Sequence, residues 1–261
     1  MRNGTADHPP LPGQRIVRVS LRWQGHVARP SPGTFRRRIR DRMILDVHRR
    51  GKYLVFPLDE GTMLIHLRMS GDMEMVPFGS PPGRFDRTIF RLAAPWELRF
   101  SDARKFGKIH LLADPQDVLG VLGPEPLDDD FTAKDLAARL SRHRRMIKPL
   151  LLDQHFIAGL GNIYVDEGLH RAGIHPLRIS DSLKDDEIRA LWRGIRAALR
   201  TGLRHNGASI DWVYRGGRFQ DRLRVYQRTG KPCVRCKTPI ERIVVAQRGT
   251  HFCPLCQPEK D

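Results

Sequence analysis

The chain has 261 residues, 40% of them hydrophobic, with 46 lysines and arginines against 29 acids and a formal charge of +17. That length allows two modest domains plus a small module, and the charge points to a polyanionic partner, because arginine's planar fork of donors suits phosphate. No apolar run approaches the roughly 20 residues that cross a bilayer, and residues 1–13 lack the apolar stretch of a secretory signal, so no membrane role and a cytosolic place are expected.

Residues 15–23 alternate, with Val17, Val19, Leu21 and Trp23 on one face and Arg18, Ser20 and Arg22 on the other, which predicts a half-buried strand. Short apolar runs follow at 53–56, 63–67, 88–92, 98–100 and 109–112, punctuated by turns such as Asp59-Glu60-Gly61. This spacing predicts a β-sandwich or barrel-like domain to about residue 115. After Pro124-Glu125-Pro126-Leu127 the pattern turns helical, over 132–145 and again from near Asn162. Ser182-Leu183-Lys184-Asp185 has the form of a capping box, ahead of Ile188, Leu191, Trp192, Ile195 and Leu199 at helical spacing up to Asn206-Gly207.

The four cysteines form two pairs, Cys233-Val234-Arg235-Cys236 and Cys253-Pro254-Leu255-Cys256, sixteen residues apart. In a reducing compartment this spacing favours a four-thiolate zinc site over two disulfides or a redox pair. Such a site has no open coordination position, so one zinc ion is expected in a structural role. The metal displays the intervening hairpin, 241–252, with Arg242, Arg248 and His251 and an expected turn at Gln247-Arg248-Gly249-Thr250. Upstream, Ala158-Gly159-Leu160-Gly161-Asn162-Ile163-Tyr164 pairs turn-forming glycines with Asn162 as the expected helix cap, leaving orphan N–H groups suited to phosphate.

The zinc pattern and the Gly-Asn-Ile-Tyr loop together resemble the formamidopyrimidine-DNA glycosylase and endonuclease VIII family. The resemblance runs along nearly the whole chain, through Gly51-Lys52-Tyr53-Leu54, Ile65-His66-Leu67-Arg68-Met69-Ser70-Gly71, Asp102-Ala103-Arg104-Lys105-Phe106-Gly107, Leu122-Gly123-Pro124-Glu125-Pro126-Leu127, Ile147-Lys148-Pro149 and Ala246-Gln247-Arg248-Gly249-Thr250. It implies a multi-domain α+β fold: an N-terminal β-sandwich catalytic domain over 1–120, a helix–two-turns–helix domain over 121–227 and a zinc finger over 228–258, with the active cleft between the first two. The strings look like the formamidopyrimidine branch. That implies a monomeric, nucleoid-associated base-excision enzyme acting on damaged double-stranded DNA. It would remove oxidised purines such as formamidopyrimidines and 8-oxoguanine, with AP-lyase activity.

An enzyme that excises a base must flip it from the stack, fill the hole, hold the backbone and attack the sugar. By resemblance, Met69, Arg104 and Phe106 fill the hole, Arg104 facing the orphaned base and Phe106 wedging beside it. Arg144, Lys148, Asn162 and Arg248 grip phosphates, Arg248 also assists the final elimination, and Lys52 touches DNA and transfers a proton during strand cleavage. The family's nucleophile is the amine of an N-terminal proline, next to a catalytic glutamate, in the opening Pro-Glu-Leu-Pro-Glu-Val-Glu-Thr. This chain matches the family from Met1-Arg2-Asn3-Gly4 onward, so the coding region is expected to start roughly nine residues upstream. The competing expectation is a lesion-binding paralogue without glycosylase chemistry. A second is an endonuclease VIII-like enzyme for oxidised pyrimidines. A zinc-ribbon transcription factor does not account for the wedge strings. At Arg84-Phe85-Asp86-Arg87 the family often has Lys-His-Asp-His, and Phe85 cannot donate to phosphate. The loop over 210–225, with Gly216 and Gly217, is placed over the flipped base.

Overall fold

A computed structural model describes residues 10–209 and 216–259. The expectations for the chain's opening, and for the first part of the loop over 210–225, lie outside the described residues. The chain divides into two compact units, Met1–Val121 and Leu122–Asp261.

The first unit is a two-layer sandwich. Its elements run β1 (Arg15–Leu21), β2 (Val27–Arg29), α1 (Pro32–Ile39), β3 (Arg42–Met43), β4 (His48–Arg50), β5 (Tyr53–Pro57), β6 (Thr62–His66), β7 (Gly71–Pro77), β8 (Asp86–Leu92), β9 (Trp96–Asp102), β10 (Lys108–Leu112) and α2 (Gln116–Leu119). One five-stranded sheet has the order β3-β1-β8-β9-β7 and the other β2-β10-β6-β5-β4. Ile16, Val19, Phe90 and Phe100 of the first sheet meet Phe56, Met63, Ile65 and Ile109 of the second in one apolar core. Strand alternation sets this up: along β8 every second residue is buried. The first strand departs from the simple alternation. Ile16 is fully buried whereas Val17 is 38% exposed, because the pairing of β1 with β8 slips between Ile16 and Arg18. The bulge turns Val17 outward while Val19 and Leu21 stay in the core, and Trp23, beyond the strand's end, is also exposed.

In the second unit, α3 (Ala133–Leu140), α4 (Ile147–Leu152), α5 (Asn162–Ala172) and α6 (Asp185–Arg204) precede a hairpin of β11 (Glu241–Val245) and β12 (Arg248–Phe252). The helix expected over 132–145 stops at Leu140. It starts at Thr132, whose hydroxyl accepts from Asp135 N–H while the Asp135 carboxylate accepts from Thr132 N–H. The long helix starts two residues later than the expected box: Lys184 is the cap residue, its N–H held by Glu187 at 3.0 Å, and Ser182 closes a preceding single turn. Ile188, Leu191 and Ile195 on α6 pack with Val165 and Leu169 of α5 and with Ile147, Leu150 and Leu151 of α4. Gly217 is locked by contact: a Cβ there would lie 2.3 Å from the Gly207 carbonyl oxygen. Phe219 just beyond stacks on Tyr164. The described part of the loop is therefore packed down. No helix among the described residues is long and apolar enough to cross a membrane.

Candidate nucleic-acid interface and metal centre

In the N-terminal unit the sandwich presents three side chains on two turns. The turn after β6 runs through Arg68, at φ +56°, and closes with Gly71 N–H donating to Leu67 C=O at 3.0 Å. It leaves Met69 58% exposed. The turn after β9 runs through Lys105, at φ +62°, and leaves Arg104 and Phe106 exposed, Phe106 by 55%. Met69 and Phe106 lie outside the core; the core in their place uses Phe100 and Ile65. The two turns join through Ser70, whose Oγ accepts from Arg104 N–H at 3.1 Å.

Lys52 sits in the two-residue turn between β4 and β5, after Gly51 at φ +58°, where Arg50 pairs with Tyr53. Tyr53 pairs in turn with His66, and their rings meet edge to face at 4.9 Å. Burial, then the charges of Arg68, Lys52 and His110, pull the His66 imidazole down to about 4. It is neutral at pH 7, and its Nδ1 accepts from Arg68 N–H at 3.0 Å. Nε2 therefore carries the proton and is left as a donor. Sequence patterning missed His66 because it reads as the last residue of a strand; the signal lay in its place directly before the Met69 turn. Phe85 is 42% exposed, with the Arg84 and Arg87 guanidinium groups 5.3 and 5.8 Å from its ring centroid.

In the second unit the four basic and polar candidates separate. Arg144 is exposed in the segment between α3 and α4, while its neighbour Arg145 bridges to Asp153 at 3.4 Å. Arg248 is exposed, but it begins β12 and pairs with Val245; the turn itself is Ala246-Gln247, at φ +46° and +62°. The expected turn at 247–250 is thereby moved, because a two-residue hairpin with both central residues left-handed matches the strand twist. Asn162 is the first helical residue and Gly161 the cap, so the expected side-chain cap is absent. Asn162 Nδ2 instead donates to Gly249 C=O at 2.9 Å.

Lys148 differs most from expectation. It has no exposed surface, and its Nζ donates to Asp166 at 2.6 Å and to Gly249 C=O at 3.1 Å. Burial lowers its pKa, and the Asp166 charge offsets part of that loss. Two of its three N–H donors are engaged in this way, which leaves one. Asp166 uses its other oxygen to accept from His251 N–H at 2.9 Å. Lys148 and Asn162 thus fasten β12 at its second residue, next to Arg248, and Asp166 at its fourth. Glu167 adds a second anchor. One of its oxygens accepts from the N–H groups of Arg224, Val225 and Tyr226 at 2.8–3.2 Å, and the other from Arg171 at 2.6 Å.

The cysteine sulfurs all lie within 4.8 Å of one another, with Cys236 3.4 Å from both Cys253 and Cys256 and Cys233 3.9 Å from Cys256. Disulfides need about 2.05 Å. Four thiolates on a tetrahedral zinc, with Zn–S near 2.3 Å, have edges of about 3.8 Å, so the sulfurs suit a metal ion. Arg235 N–H and Cys256 N–H each donate to a cysteine sulfur at 3.4 Å, and His170 Nε2 lies 3.4 Å from Cys233 Sγ. Donors around the sulfurs stabilise thiolates. Arg235 also caps α5, reaching the carbonyls of His170 and Arg171.

Three family models match the chain in order: the formamidopyrimidine-DNA glycosylase N-terminal domain over residues 1–109, its H2TH domain over 122–213, and a zinc finger found in FPG and IleRS over 230–258. The formamidopyrimidine-DNA glycosylase of Herpetosiphon aurantiacus is 48% identical over 95% of this chain and 93% of its own, and that of a Roseiflexus species 46% over 94% and 93%. The chain belongs to the formamidopyrimidine-DNA glycosylase family. Among solved members of this family, MutM in complex with carbocyclic 8-oxo-G containing DNA superposes with a TM-score of 0.89 at 35% identity, covering 95% of this chain and 94% of that one. Lactococcus lactis FPG with Fapy-dG containing DNA gives 0.88 at 35%, with the same coverage. The family's N-terminal β domain, H2TH helices and four-cysteine finger therefore account for both units described above.

Proposed function

We propose that the protein is a base-excision DNA glycosylase with AP-lyase activity, removing oxidised purines such as formamidopyrimidines and 8-oxoguanine from duplex DNA. The observation that carries this is the exposed set Met69, Arg104 and Phe106, held on two hydrogen-bonded turns of a family sandwich. Apolar wedges beside a cation fit a kinked duplex with one base removed from the stack. Lys52 and the Nε2–H of His66 serve as donors for the backbone near the flipped nucleotide, with Lys52 as the proton carrier in strand cleavage. Arg144, Lys148 and Arg248 are phosphate grips, Asn162 joins them from the first turn of α5, and Lys148 also holds the hairpin in place through Gly249. The four cysteines, Cys233, Cys236, Cys253 and Cys256, hold one structural zinc ion, which fastens the hairpin that carries Arg248. The division at 1–120, 121–227 and 228–258 belongs to the same reading.

The sugar is attacked by an amine, which the family carries as an N-terminal proline. That relatives named for formamidopyrimidine match this chain throughout favours purine lesions over the oxidised pyrimidines of an endonuclease VIII-like enzyme. Excision from duplexes carrying 8-oxoguanine or thymine glycol decides between them. Faster release of 8-oxoguanine by tenfold or more (about 1.4 kcal/mol in the barrier) is expected, and the reverse order overturns the assignment.

A further inference from the structure

Four buried polar residues of the N-terminal unit, His26, Ser70, Thr88 and Asp102, belong to neither the grip nor the wedge. They converge on one carboxylate. Asp102 ends β9 and has no exposed surface. Its Oδ1 accepts from the Ser70 hydroxyl and, at 3.2 Å, from Arg104 N–H; its Oδ2 accepts from Gly107 N–H at 2.7 Å. Ser70 follows Met69, and Arg104 and Gly107 bracket Phe106. One side chain therefore ties both turns.

The far side is closed by His26. Its Nε2 lies 3.5 Å from Asp102 Oδ2, its Nδ1 lies 3.0 Å from Thr88 Oγ1, and its ring stacks on Phe100 at 4.3 Å. The packing leaves no slack. A Cβ on Gly107 would lie 2.4 Å from Phe100, and one on Gly71 2.4 Å from the Leu67 carbonyl oxygen. Burial opposes the Asp102 charge, but the Ser70 and Gly107 hydrogen bonds and the nearby His26 outweigh it and hold the carboxyl below its ordinary value. The group is an ionised, acceptor-only hub facing donors from two turns.

We propose that Asp102 is the positioning residue of the wedge, fixing the turns of Met69, Arg104 and Phe106 in one relative geometry so that the three side chains enter a duplex as a unit. The proposal rests on the wedge reading above. Two short turns with exposed side chains otherwise move separately, and ordering them on binding costs affinity; a shared buried anchor removes that cost in advance.

Binding tests this without any requirement for chemistry. The probes are a duplex with a tetrahydrofuran abasic analogue, 2-aminopurine beside it, and the same duplex undamaged. Asp102→Asn puts an amide donor against donors. It is expected to leave affinity for the undamaged duplex within about twofold, to cut the preference for the damaged duplex about tenfold, and to abolish the 2-aminopurine rise. Phe106→Ala serves as the reference for a lost wedge. A folded Asp102→Asn protein that keeps both the preference and the fluorescence rise, while Phe106→Ala loses them, overturns the proposal. If Phe106→Ala keeps them too, the wedge reading itself fails. A general loss of structure lowers affinity for both duplexes together and is read separately by melting. Should Asp102→Asn not fold, Ser70→Ala cuts only the link between the turns. It is expected to lower the damaged-duplex preference, and to add nothing in a Met69→Ala background. An unchanged preference in Ser70→Ala overturns the proposal equally.

Discussion

Lys148 carries its charge inside the protein and Arg248 carries its charge at the surface, although both belong to one cluster around Gly249. For Lys148, the partner is Asp166 at 2.6 Å, with no solvent on either side chain. Breaking such a pair from one side leaves a buried charge alone. Lys148→Ala is expected to destabilise the protein by about 3–5 kcal/mol in denaturant unfolding, and a loss within about 0.5 kcal/mol would mean that Asp166 is hydrated or protonated in the fold. Arg248 stands exposed at the start of β12. Arg248→Ala is expected to leave unfolding within about 0.5 kcal/mol of the parent while lowering the salt dependence of DNA binding by about one phosphate contact. An unchanged slope of log affinity against log salt contradicts its role as a grip.

At the scale of elements, the same hairpin shows what patterning could and could not deliver. The cysteine spacing located the metal centre, since two C-x-x-C turns have few other uses in a reduced chain. The turn itself was misplaced: Ala246 and Gln247 both take left-handed backbone, which neither residue favours alone, and the strand pairing and anchors at Gly249 and His251 impose it. Strands β5, β6 and β8–β10 were legible because their apolar runs are bounded by turn residues. The bulge that exposes Val17 was not, because a one-residue slip leaves the composition unchanged. The burial of Lys148 was illegible for a similar reason: its charge is visible in sequence, whereas Asp166, eighteen residues on, becomes its partner only when α5 packs beside α4.

The sheet β2-β10-β6-β5-β4 carries a pH signature of its own. Burial first, then neighbouring cations, lowers both His66 and His110; His66 falls from 6.5 to about 4. Between those values the unfolded chain binds a proton that the folded chain refuses, so stability is full above pH 6.5 and declines as pH falls toward 4. The melting temperature is expected to drop between pH 7 and 5, and His66→Gln is expected to drop less over the same interval. Parallel pH profiles for the two proteins would remove His66 as a cause.

Over the whole molecule, the net charge of +17 supplies a sequence-independent attraction to DNA, and in the proposed function the two turns of the N-terminal unit supply the selection among sites. The proposed function joins these to one chemistry, in which an amine attacks the sugar once the base has been extruded. Borohydride reduction captures that intermediate as a covalent protein–DNA adduct. The decisive comparison uses the 261-residue chain and the same chain preceded by Pro-Glu-Leu-Pro-Glu-Val-Glu-Thr, each on a duplex carrying 8-oxoguanine. The extended chain is expected to be trapped at the lesion strand, with at least tenfold more adduct than the chain beginning at Met1. Equal trapping of the two would contradict the proline as nucleophile, and no trapping of a folded extended chain would contradict the glycosylase assignment.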